Sequence, residues 1–350
     1  MKTESRVPQL DGVRGVAVLL VFVAHLAGGV FPERRHFVAN LHWNGGGGGL
    51  IGVQLFFVLS GYLITTILLR EIRDDGNVVF RAFYARRIRR LVPALVVLCG
   101  VYAIYLVVSS DHVRAGFAAI AYALTYTTNL IPGTHLLDSG WLNHCWSLAV
   151  EEQFYLVWPA ALLFFYRRDK AIPATIAAIA TTVLARHLSG RLFGSHAEWA
   201  RYDLLRWDAV MAGALLALRP VRVSPAFRTA AYVTVACIAA FTFRRPISPW
   251  MYDVLTLASV GVVASATQVR WLAHPVLRHF GLISYGLYLW SVFLLRFGWP
   301  GPVSLVASLV VAETSYWTIE RRFLVQKLHE PASATTGTLE AKKAYPELPE

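Results

Sequence analysis

The chain has 350 residues, of which 56% are hydrophobic and only 15% charged, with 33 lysines and arginines against 21 acids for a formal net charge of +12. A chain of this size cannot bury that much apolar surface in a water-soluble core. Its basic residues fall in short clusters between apolar runs, a distribution that speaks for membrane topology and against nucleic acid as a partner.

Apolar segments of near membrane length run over 13–30, 50–69, 91–108, 115–132, 146–166, 171–189, 203–218, 229–243, 251–269, 282–299 and 302–320. They predict an all-α, polytopic helical bundle. The first segment is too polar at its start, and lacks the small-residue cleavage site, to be a removed signal peptide. The stretch that follows it ends in Gly45 to Gly49 and reads equally as a lid or as a hinge into the next helix. If segment 115–132 does not cross and the N-terminus is inside, 23 of the 33 basic residues collect in the cytoplasm. These are Lys2, Arg6, Arg14, the seven arginines from Arg70 to Arg90, Arg167, Arg168, Lys170, Arg219, Arg222, Arg228, Arg270, Arg278 and the five basic residues after Glu320. With all eleven crossing, the split is 17 to 16. The positive-inside rule therefore predicts about ten crossings, both termini cytoplasmic, and a re-entrant or interfacial helix at 115–132, where Thr125, Thr127, Thr128 and Asn129 lie. The expected organisation is one membrane domain, 8–324, and a disordered cytoplasmic tail, 325–350. Cys99, Cys145 and Cys237 are scattered and form neither a disulfide framework nor a zinc spacing.

Polar residues inside these runs carry the chemistry. Arg14 and His25 stand eleven residues apart, which at about 100° per residue returns to within about 20° of one helix face. Polar groups in a membrane helix are costly and turn toward a bundle interior or a water-filled path. A cation at the inner mouth and an imidazole about 16 Å further up one face suggest a reaction site, with headgroup snorkelling and a satisfied structural histidine as the alternative. Arg86, Arg87, Arg89 and Arg90 precede Pro93 on the cytoplasmic side. Guanidinium forks suit phosphates, while a topogenic cluster touching anionic lipid fits equally. Ser147, Glu151 and Tyr155 follow i, i+4 and i+8 on one face. A Glu there can orient and charge-stabilise an imidazole, or be neutralised by a structural arginine such as Arg206. Helix start-to-start counting puts Glu151 and Glu152 at a depth similar to His25. Arg206-Trp207-Asp208 reads as an internal ion pair locking two helices, and Phe56 to Tyr62, with Ser60-Gly61, as a site of close helix packing.

Four blocks in this order resemble the membrane-bound acyltransferase family 3: Leu10-Asp11-Gly12-Val13-Arg14-Gly15 with His25, Gly52 to Ile64, Tyr84 to Pro93, and Trp146 to Pro159. Weaker echoes are Arg206-Trp207-Asp208, Ile283 to Trp290 and Tyr316 to Phe323, so the resemblance spans 8–324. It implies an O-acyltransferase acting on sugars, polysaccharides or secondary metabolites such as macrolides, with acyl-CoA, acetyl-CoA in particular, as donor. It further implies His25 as catalytic base, Arg87 and Arg90 as the family's Arg-x-x-Arg, and Glu151 as its membrane glutamate. Two positions depart from the family: Gln54 stands where an Asp is common, and Ser291 where a His is common.

Combined, these readings predict acyl-CoA docking from the cytoplasm with its phosphates on Arg14, Arg87 and Arg90, and its pantetheine arm running up the Arg14–His25 face. His25, oriented by Glu151, takes the acceptor proton, and Ser147 and Tyr155 line the substrate path. No metal is expected. No esterase-like segment follows the membrane part, which tilts the expectation toward a small or carrier-linked acceptor. The expected location is the cell membrane. The rival expectation is a proton-coupled transporter or flippase using His25 and Glu151 as a relay, whose inverted repeats are not visible here.

Overall fold

The structure is a computed structural model and describes residues 7–30, 49–110, 113–130, 141–192, 206–242 and 249–325. The Gly45–Gly48 stretch and the tail beyond Val325 lie outside the described residues. Among the described residues there are helices and turns and no strands. In chain order the helices are α1 (Pro8–Val30), α2 (Gly49–Asp75), α3 (Phe80–Ser109), α4 (Val113–Leu124), α5 (Cys145–Tyr166), α6 (Ala171–Leu192) and α7 (Trp207–Leu218). After them come α8 (Pro225–Thr242), α9 (Pro249–Ser265), α10 (Pro275–Leu282), α11 (Ser284–Leu295), α12 (Gly301–Ser315) and α13 (Arg321–Val325).

Six of these, α1, α2, α3, α5, α6 and the α9 region, are long and apolar enough to cross a bilayer. The protein is an integral membrane protein, and the sequence-based figure of about ten crossings exceeds what helix length alone supports. α4 has 12 residues, about 18 Å at 1.5 Å per residue, against a hydrocarbon core of about 30 Å. It ends in a turn at Tyr126, with φ 52°, and a 3₁₀ turn at Thr128–Leu130. There Asn129 exchanges hydrogen bonds of 2.8 and 3.0 Å with Gln153 of α5. Asn129 thus ties the end of this short helix to α5, while Thr125 bonds back to the Ala121 carbonyl and to Thr127. Segment 282–299 holds a helix shorter than itself, the 12-residue α11, which starts after a break at Ile283 that separates it from α10. The last segment is interrupted by a π-turn, Tyr316–Glu320, between α12 and α13.

α1 is the hub, packed on α2, α10 and α11. Its approach to α10 is set by backbone contact. A Cβ on Gly12 would fall 1.8 Å from the Leu272 carbonyl oxygen and one on Gly15 2.0 Å from that of Leu277. From the other side, a Cβ on Gly281 would fall 2.0 Å from the Asp11 oxygen. α2 and α7 cross in the same reciprocal way, Gly61 against Val210 and Gly213 against Val58. Small residues are what allow membrane helices to approach this closely. In Leu10–Gly15 the glycines seat the helix, and the seating aims Arg14.

Candidate active site

The second turn of α1 carries Arg14, whose Nη1 donates to Asp11 at 3.3 Å. From there the site is built by α2, α3, α5, α11 and the π-turn. On α3, Arg87 lies over the Tyr155 ring at 4.8 Å and the Phe83 ring at 6.0 Å. Arg90 follows one turn later, where Tyr285 of α11 donates to the Leu91 carbonyl at 2.6 Å and ties the two helices together. Among the described residues, neither Arg87 nor Arg90 has a carboxylate within ion-pair distance. On α5, Glu151 accepts a 3.0 Å hydrogen bond from Ser60 of α2. Ser147, one turn before it, lies 2.6 Å from the Tyr288 hydroxyl, which donates to the His144 carbonyl at 2.7 Å.

These side chains enclose one cavity of about 560 Å³, within the range of small-molecule sites. Arg14, Arg87, Arg90, Ser147, Glu151 and Tyr155 all line it, together with Ser60, Tyr285, Tyr288 and Glu320. Six of the seven residues singled out from sequence therefore meet in one place. Glu152 does not line it. Along α2 the wall begins at Val53, Phe56 and Phe57. Phe57 stands edge-on to Trp146 at 6.1 Å, and the Arg206 guanidinium lies 5.8 Å from the Phe57 ring and 5.2 Å from that of Trp146.

His25 is the exception. It is absent from the cavity wall, and from α1 only Leu10, Asp11 and Arg14 line it. The face between Arg14 and His25 is filled by Val18, Val21 and Phe22, each at most 4% exposed, so no open track for a pantetheine arm runs along it. The open space instead follows α2 and α5. Val21 packs on Gly52, neighbour of the cavity-lining Val53, and His25 lies one helical turn beyond, about 6 Å. Its Nδ1 is buried with no hydrogen-bond partner among the described residues. The expected pairing of Glu151 with His25 is not formed: Glu151 sits with Ser60 among the arginines. Along α2, Glu151 is level with Ser60, whereas the His25 ring lies beside Gly49, where a Cβ would fall 3.8 Å from it.

The Arg206 group also differs from its sequence reading. Arg206 does not neutralise Glu151; it donates to Gln54 Oε1 at 2.7 Å and lies 4.5 Å from the Tyr252 ring. Gln54 passes the contact on, its amide donating to Thr256 at 2.6 Å. The amide accepts from one partner and donates to the other. Asp208 pairs with Arg186 of α6 through bonds of 2.8 and 3.1 Å. Arg186 also bonds Asp253, which holds His187 at 2.7 Å. The helix-locking ion pair exists, but its cation is Arg186, not Arg206. Arg186, Asp253, Ser60, Tyr288 and Glu320 were missed from sequence as members of these clusters; Ser60, Tyr288 and Glu320 lay inside blocks that carried a signal, and Arg186 and Asp253 did not. Ser291, where the family often has a His, is buried and does not line the cavity. Among the described residues no three His, Cys, Asp or Glu side chains stand together as a metal site.

The family model described as an acyltransferase domain matches residues 7–301, most of the chain and the whole set of cavity-lining helices up to α11. The chain belongs to this acyltransferase family. Relatives within it include the peptidoglycan O-acetyltransferase OatA of Listeria monocytogenes, 30% identical over 90% of this chain and 55% of its own length. The protein named "Putative peptidoglycan O-acetyltransferase YrhL" of Bacillus subtilis is also 30% identical, over 91% of this chain and 55% of its own. The chain spans about half the length of the curated relatives it matches. No solved structure matches it. The cavity of this acyltransferase-family chain thus joins three arginines, several hydroxyls and the Glu151 and Glu320 carboxylates.

Proposed function

We propose that this chain is an O-acyltransferase of the cell membrane, both termini cytoplasmic, that moves an acetyl group from acetyl-CoA to a carbohydrate hydroxyl. One observation carries the proposal: Arg14, Arg87, Arg90 and Glu151 converge on a single cavity in which Arg87 and Arg90 are not spent on carboxylates. Two guanidinium forks left open in a membrane cavity fit phosphate oxygens, and by the basic-residue bias this end of the bundle faces the cytoplasm, where acyl-CoA is found. The relatives named for peptidoglycan support a glycan acceptor, in preference to the small or carrier-linked acceptor expected from sequence. The family match supports acyl transfer over the transporter reading.

The donor's phosphates lie on Arg14, Arg87 and Arg90, and its thioester points along α2 and α5 past Glu151 and Ser147 toward the Phe57 wall. His25, one turn above that wall, takes the proton of the acceptor hydroxyl. The oxygen attacks the thioester carbonyl, the carbon–sulfur bond breaks, and the proton passes to the departing thiolate, so no net proton is released. A second reading assigns the base to Glu151, because Glu151 lines the cavity and His25 does not. The test is turnover of labelled acetyl-CoA with carbohydrate acceptors by purified His25→Ala and Glu151→Gln proteins that remain folded. His25→Ala is expected to lose about 10²–10⁴-fold in kcat, the usual contribution of a general base. Normal turnover in His25→Ala with loss in Glu151→Gln moves the role to Glu151. Normal turnover in both removes the proposed chemistry.

A further inference from the structure

Glu320 is a carboxylate in the cavity to which neither the family motifs nor the mechanism above gives a task. It is 5% exposed, and an acid buried in a membrane bundle is costly unless something compensates it. Three features place it. It closes the π-turn Tyr316–Glu320, a rare helical irregularity found mostly at functional sites because it re-aims side chains. Ser315, at the start of the turn, donates to Glu320 Oε1 at 3.3 Å. The opposing helix α11 presents Gly286, where a Cβ would fall 2.8 Å from the same oxygen. The carboxylate is thus held from its own helix and walled from the next.

It shares the cavity wall with Arg90, and each lies within electrostatic reach of the other. The two do not close an ion pair within 4 Å. That spacing has a consequence: a bidentate pair would occupy the guanidinium fork, whereas an offset carboxylate attracts the charge and leaves the fork open to an incoming anion. Arg14 and Arg87 both repel Arg90, while Glu151, Glu152 and Glu320 attract it; Glu320 is the acid among these that pulls it from the side of the π-turn, away from its own helix and from α5.

We infer that Glu320 is a positioning residue that orients Arg90 toward the donor's phosphates, an inference that rests on the donor reading above. The test measures KM for acetyl-CoA, kcat, and equilibrium binding of CoA and of pantetheine to the full chain, in Glu320→Gln, Glu320→Asp, Arg90→Ala and the Arg90→Ala/Glu320→Gln double variant. Glu320→Gln is expected to raise KM and the CoA dissociation constant about tenfold, within the range for coupled charged neighbours. It should leave kcat and pantetheine binding unchanged, with Glu320→Asp recovering most of the loss. In the Arg90→Ala background the Gln substitution should have no further effect. A lowered KM in Glu320→Gln, which would mean that the carboxylate only repels phosphate, overturns the inference. So does an undiminished effect in the Arg90→Ala background. A silent Glu320→Gln beside a normal Arg90→Ala loss overturns the inference alone. An Arg90→Ala protein with unchanged CoA binding overturns the donor reading beneath it.

Discussion

Replacing Arg87 by Ala separates a donor-binding arginine from a topogenic one. In the folded protein its guanidinium stacks on Tyr155 at 4.8 Å and closes no ion pair with a carboxylate among the described residues. The folded state therefore loses a cation–π contact, about 0.5–2 kcal/mol, but no direct ion pair. The bound state loses more: a charge-assisted hydrogen bond to phosphate contributes roughly 1.5–3 kcal/mol, or about 10- to 100-fold in Kd at 1.4 kcal/mol per decade. Arg87→Lys keeps the charge but not the fork and should fall between. The assay is calorimetric binding of CoA, and separately of a dephosphorylated pantetheine, to protein in detergent, with thermal unfolding recorded alongside. Weakened CoA binding with pantetheine binding held within about twofold is the expected result. Equal weakening for both ligands, or none for either, would return Arg87 to setting topology and remove the phosphate subsite.

Gly213→Ala should destabilise the bundle by several kcal/mol, because its Cβ would lie 1.9 Å from the Val58 carbonyl oxygen and α2 and α7 would have to separate; thermal unfolding in detergent reads it. Arg186→Ala should cost about 3–5 kcal/mol by leaving Asp208 and Asp253 without their shared cation. Arg186→Met combined with Asp208→Asn and Asp253→Asn should recover much of that loss, a contrast that the same unfolding measurement resolves. Single cysteines placed after Glu330 should label only from the cytoplasmic side of intact cells, and labelling from outside would reverse the orientation from which the depth of every site residue follows.

The sequence by itself determined the class of the protein, the existence of its helices, and which side chains share a face of each. Apolar runs and 3.6-residue periodicity are local properties, so Arg14, the arginines before Pro93 and the Ser147–Glu151–Tyr155 stripe could be picked out without coordinates; Arg14, Arg87, Arg90 and the stripe line one cavity, while Arg86 and Arg89 do not. Local periodicity has no information on which helix a face meets, how far neighbouring helices are staggered, or where a turn is re-aimed. Those were decided by backbone contacts between residues far apart in the chain: Gly12 and Gly15 against Leu272 and Leu277, and Gly61 and Gly213 against Val210 and Val58. Such contacts fix rotation and stagger together, and so give Asp208 to Arg186 instead of Arg206. They place Glu151 with Ser60 and the arginines, leave His25 off the cavity wall, and let a last helix that ends in a π-turn bring Glu320 to the cavity that Arg90 lines.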